Sequence, residues 1–95
     1  MQLLSIHRST KQDKKYMATF LLDTHKIKIV HFGALGYDDY TTTHDDSKKM
    51  HYLIRHKTRE TWSDPTTAGA LSRWILWNKP TIQASIQDFR NRFHL

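Results

Sequence analysis

Around Gly33–Gly36 the spacing of apolar residues along this 95-residue chain changes, and that change constrains its fold more than any other feature. Before it, Lys26–Phe32 (KIKIVHF) alternates, with Ile27, Ile29 and His31 on one side and Lys28, Val30 and Phe32 on the other. That is the period of a strand. After it, Ile82, Ile86, Phe89 and Phe93 recur at i, i+4, i+7 and i+11, which is one stripe of a helix. The chain therefore reads as sheet first and helices second.

The remaining elements follow from local chemistry. Leu3–Ser9 and Tyr16–Leu22 read as two further strands, separated by the polar turn Ser9–Lys14. Asp23–His25 reads as a hairpin turn, and such short connections favour an antiparallel meander. Gly33 and Gly36 are expected to break the third strand, through positive φ or a close backbone approach. Residues 37–47 read as a loop, and its closing Asp45, Asp46 and Ser47 suit the start of a first helix over Ser47–Thr58. Asp64-Pro65 predicts a second helix over Pro65–Trp77, apolar nearly all round. Asn78-Lys79-Pro80 ends it, and Thr81 caps a third helix over Ile82–Phe93. The expected fold is α+β: a small three-stranded antiparallel sheet followed by three helices, in one domain spanning residues 1–95.

The formal charge is +6, and it is unevenly placed. Residues 1–36 carry +4, residues 37–46 carry −4, residues 47–60 carry +4 and residues 61–95 carry +2. Two basic blocks flank a short acidic one. Such a field suits phosphate backbones or acidic protein surfaces.

The sharpest candidate for binding lies in Ser47–Arg59. At 100° per residue, Lys48, Tyr52, Arg55 and Arg59 fall within about 60° of one another, with Met50, Leu53 and Ile54 opposite. The expectation is a buried apolar face and, across from it, three cations around an aromatic ring that stacks on a base. The competing reading is a solvated face with Tyr52 tucked against the sheet. Lys11, Lys14, Lys15, Lys26 and Lys28, with Arg8, extend the basic set along the hairpins, where lysine also serves to protect sheet edges. Trp74 and Trp77 lie about 60° apart on the second helix and form a candidate interface; core packing is the plainer alternative.

Enzyme chemistry finds little support. With no cysteine there is no disulfide, thiolate or cysteine-bound zinc. His44, His51 and His56 alternate with aspartates, but His51 and His56 point about 140° apart on a helix and cannot chelate together. No Walker loop, nucleophile elbow or dinucleotide fingerprint is present. Neither a signal peptide nor a membrane-spanning run is expected. The expectation is a protein without enzymatic activity, metal or cofactor, with nucleic acid, DNA foremost, as partner and no membrane association.

Several segments together resemble a family of short basic proteins of unknown function from nucleocytoplasmic large DNA viruses. They are Lys15-Tyr16-x-Ala18-x-Phe20, the run Val30–Thr41 (VHFGALGYDDYT), Tyr52-x-x-Arg55-His56, Trp62-x-Asp64-Pro65-x-Thr67-Ala68-Gly69-x-Leu71-Ser72 and Ile75-Leu76-Trp77. They span most of residues 15–77, while the final helix is less similar. The resemblance implies a viral protein of the host cytoplasm or virion interior, with virion proteins or a second copy as further partners. It implies no catalytic residues.

Overall fold

The computed structural model describes all residues, Met1–Leu95, and its architecture is α+β. Strands β1 (Gln2–Arg8), β2 (Lys14–Leu21) and β3 (Ile27–Ala34) form one antiparallel sheet in the order β1-β2-β3. β1 carries a bulge at Leu4, since Leu3 pairs with Phe20 and Ser5 with Thr19. The β2–β3 ladder runs from Lys14 opposite Ala34 to Leu21 opposite Ile27. Its two ends lie roughly 23 Å apart at ~3.3 Å per residue.

β3 continues two residues past its expected end, and Gly33 is inside it. The glycine has φ +81°, and a Cβ there would lie 2.7 Å from Leu76 Cδ1. Gly33 thus lets the helical layer approach the sheet instead of ending the strand. Gly36, at φ +89°, makes the turn that follows.

Leu3, Ala18, Phe20 and Phe32 pack with Leu71, Ile75, Leu76 and Phe89 in one core. The strand residues among them occupy one side of the sheet. On the other side Ile27 and Ile29 are exposed, while Met17 is buried.

The helical half departs from expectation in three places. Residues 37–47 are not all loop. Asp39 caps a short helix, α1 (Tyr40–Thr43), accepting a hydrogen bond from Thr41 N at 2.8 Å while Thr42 Oγ1 accepts from Asp39 N at 3.1 Å. His44 then takes a left-handed conformation, and Asp45 caps α2 (Asp46–His56). Because α2 ends at His56, Arg59 lies in a turn beyond it rather than on the helix.

The second departure concerns the predicted Pro65–Trp77 helix. Asp64 spends its carboxylate on Thr66, accepting from its backbone N at 3.0 Å and its hydroxyl at 2.8 Å. The helix therefore starts three residues later, capped by Thr67, as α3 (Ala68–Leu71). It continues as a π-helical turn, Ser72–Leu76, closed by Trp77 N donating to Ser72 O at 3.1 Å. Five-residue closure brings Leu71 and Leu76 onto one side, which an α-helix would splay about 140° apart. Both are buried in the core.

The third departure is the rotation of α2. Met50 and Ile54, expected to face inward, are 56% and 65% exposed, while Tyr52 is only 5% exposed. By contrast, α4 (Ile82–Phe93) keeps its predicted bounds and its Thr81 cap, with Phe89 in the core. Arg90 Nη1 ties it to the sheet by donating to Leu3 O at 3.1 Å.

Candidate nucleic-acid interface

The rotation of α2 follows from an aromatic ladder. Tyr52 stacks on Trp77, centroids 4.6 Å apart and planes 6° from parallel, and on His56 at 4.4 Å. Nearby, Lys49 Nζ donates to Asn78 O at 2.6 Å. Burial, with Glu60 nearby, pushes the Tyr52 phenol well above its ordinary pKa. Tyr52 is thus a structural ring and is not available to stack on a base, which corrects the expectation for that residue.

The flanking cations remain outside. Arg55, Lys57 and Arg59 are exposed with no carboxylate within 4.0 Å. Lys48 is exposed and 3.5 Å from the equally exposed Asp38, a solvent-screened contact of small energy. Lys48, His51 and Arg55 line a groove of about 270 Å³ with Tyr37, Asp38 and Trp77. Tyr37 is 74% exposed. Sequence reading missed it, although a tyrosine between glycine and aspartate in a polar segment has few apolar neighbours to bury it.

The hairpin lysines do not act as one group. Lys15 donates to Asp39 Oδ2 at 2.6 Å and to Tyr37 O, and the pair is largely buried, with side chains 14% and 3% exposed. It therefore anchors the 37–39 segment and is not a phosphate contact, against expectation. Lys11 and Lys14 lie at the β1–β2 turn, and Arg8 lines a pocket with Lys15, Thr41 and Thr42 at that same end of the sheet. Lys26 and Lys28 belong to the opposite end, where Lys28 Nζ donates to Thr66 Oγ1 at 3.2 Å. They do not converge with the α2 cations.

Trp74 is spent internally, contrary to the expected interface, whereas Trp77 is packed on one side and lines the groove. Trp77 stacks on Tyr52. Trp74 donates Nε1 to Trp62 O at 2.9 Å, and its ring meets two guanidiniums, Arg73 at 4.2 Å and Arg92 at 3.8 Å. Burial lowers the Arg73 pKa, with Arg92 adding to the effect. Burial likewise lowers that of Lys49, helped by Arg73 and Lys79. Sequence reading did not single out this second cationic cluster.

Residues 4–56, from β1 through the end of α2, match a family of unknown function, DUF5754. The chain belongs to that family. No curated protein and no solved structure matches it. The DUF5754 match includes Tyr37, Lys48 and Arg55 but ends before Arg59 and Trp77, so one wall of the groove lies outside the matched segment. No three His, Asp or Glu side chains of this DUF5754 chain converge closely enough to hold a metal ion. No helix is long and apolar enough to cross a membrane.

Proposed function

We propose that this DUF5754 protein is a non-enzymatic nucleic-acid-binding module that grips phosphates, those of DNA foremost, without reading sequence. Lys48, Arg55 and Arg59 supply the principal contacts, and Arg8, Lys11 and Lys14 extend the basic surface at the near end of the sheet. The observation that carries this reading is an imbalance of partners. Of fifteen Lys and Arg, only Lys15, Lys48 and Arg92 have a carboxylate within 4.0 Å. Meanwhile every acid but Asp13 is engaged by a partner inside the molecule, as an ion pair, a cap or a hydrogen bond. The uncompensated charge is positive, and most of it, including Arg55, Lys57 and Arg59, is exposed.

Neutralised phosphates release counterions, so binding must weaken steeply with salt, with Kd on the order of 10⁻⁴–10⁻⁶ M at physiological ionic strength. Changing Lys48, Arg55 and Arg59 together to Ala is expected to reduce the slope of log K against log salt by about 2–3, at ~0.9 per phosphate contact. A triple variant with the affinity and slope of the parent would refute the reading. On the viral resemblance we propose that such a module acts in the host cytoplasm or the virion interior, and recovery of the protein with viral DNA from infected cells would test that.

A second reading, a structural virion or interaction protein, is favoured by a different observation. Met50 and Ile54 expose an apolar strip on α2, and Leu4, Ile27 and Ile29 expose another on the sheet. On this reading contacts are made there and not through Trp74 and Trp77. Light scattering that finds only monomer at high concentration, with no virion association, opposes it.

A further inference from the structure

Beside the groove of Lys48, His51 and Arg55 lies a second hollow of about 280 Å³. The two share Tyr37, Asp38, Arg55 and Trp77 as a common wall, so a chain lying in one can reach into the other. We infer that the inner hollow receives one unstacked nucleobase of a single strand, while the outer groove holds its phosphate. This rests on the nucleic-acid reading above and narrows its substrate from nucleic acid in general to single strands.

The charges sort in that way. The outer groove sets Lys48 and Arg55 against Asp38 alone. The inner hollow sets Asp38, Asp39 and Glu60 against Lys15 and Arg55, with Lys15 and Asp39 already consumed by each other. A phosphate is disfavoured among those carboxylates. A neutral ring with N–H donors is not, because the exposed Asp38, only loosely paired with Lys48, can accept from a base edge, while Glu60 is held by His56. The volume also fits. At about 280 Å³ the hollow has room for a base.

The wall is aromatic where a base would slide in. Tyr37 presents an uncovered ring, and Trp77 is held by its stack on Tyr52. A duplex keeps its bases stacked and paired, so it can reach the outer groove but cannot fill the inner hollow. A single strand can turn a base out and stack it on such a ring.

The test is fluorescence anisotropy with the full chain, using oligo-dC of about twenty nucleotides and a duplex of equal length at the same salt. Oligo-dC is expected to bind at least about tenfold more tightly than the duplex. Tyr37→Ala is expected to lose about tenfold on oligo-dC, in the range of one base–aromatic stack, with a distinctly smaller loss on the duplex and thermal unfolding unchanged. Tyr37→Phe keeps the ring and retains single-strand affinity. Equal or tighter duplex binding overturns the inference, as does a Tyr37→Ala variant that loses both affinities equally or neither. In all those cases the broader reading survives. Absence of binding to both nucleic acids overturns the two together.

Discussion

Tyr52 and Trp77 stack 4.6 Å apart and within 6° of parallel, and this contact sets the rotation of α2. Without it the helix would be expected to turn Met50 and Ile54 inward. Tyr52→Ala removes a ring buried on both faces, by Trp77 and His56, and is expected to cost about 3 kcal/mol, at the lower end for a buried aromatic. Urea unfolding followed by tryptophan fluorescence measures this. Tyr52→Phe retains the stack and is expected to cost less than about 1 kcal/mol. Equal losses in the two variants would show that the ring contact does not hold the helix.

The same burial makes stability depend on pH at the alkaline end. Burial first, and the Glu60 carboxylate second, raise the phenol's pKa in the folded state above its ordinary value of about 10. The unfolded chain therefore loses this proton at lower pH than the native one. The contribution is complete below about pH 10 and is lost as pH climbs beyond that value, because ionisation pulls the chain toward the unfolded state. Urea midpoints at pH 9 and pH 11 are expected to fall further for the parent than for Tyr52→Phe. The two proteins differ only at this residue, so the difference between them isolates Tyr52. Parallel falls would contradict the assignment.

Gly33 and Gly36 both have positive φ but differ in surroundings, so alanine at each separates backbone strain from crowding. At Gly36 nothing lies within 4 Å of an added Cβ, and only the left-handed backbone costs, about 1 kcal/mol. At Gly33 the Cβ would also meet Leu76 Cδ1 at 2.7 Å and Lys15 Cβ at 3.3 Å, where β3 and the π-helical turn touch. Overpacking adds to the strain there, for a total of about 3 kcal/mol. Thermal unfolding of the two variants measures the gap, and a Gly36→Ala loss equal to that of Gly33→Ala would exclude the close approach as the reason for glycine.

These contacts also show what the sequence could reveal. The three strands, their antiparallel order and α4 were legible because alternation and a four-residue stripe mark the element itself, even though on β3 Ile27 and Ile29 face outward. On α2 the pattern marks the helix but not its buried face. Tyr52 is buried against Trp77 while Met50 and Ile54 stay exposed, and no pattern within one helix reports a partner twenty-five residues away. The π-helical turn was hidden for a similar reason, since Leu71 and Leu76 share a face only after the backbone widens. α1 was hidden because Thr41, Thr42 and Thr43 are poor helix formers, and a capping box with Asp39 compensates. Of the site, Lys48, Arg55 and Arg59 could be read from spacing as a cationic set. The withdrawal of Lys15 could not, because Asp39 reaches it across twenty-four residues.

Lys15 and Arg55 line the same hollow but are expected to fail in opposite ways when changed. Lys15 is in a largely buried pair with Asp39, so Lys15→Met leaves a carboxylate without its cation at the start of α1. Losing one partner of such a pair costs about 3–5 kcal/mol, less here to the extent that Thr41 and Thr42 still hold Asp39. A cation already neutralised inside the protein releases no counterion from DNA, so the salt slope of binding is expected to remain that of the parent. Arg55 has no carboxylate to lose and projects from α2. Arg55→Ala is expected to leave stability within about 0.5 kcal/mol and to lower the slope by about 0.9. Urea unfolding and a salt titration of duplex DNA on both variants give four measurements. A Lys15→Met protein that folds normally but binds with a reduced slope would place this lysine on the phosphate surface and dissolve the division between anchor and grip.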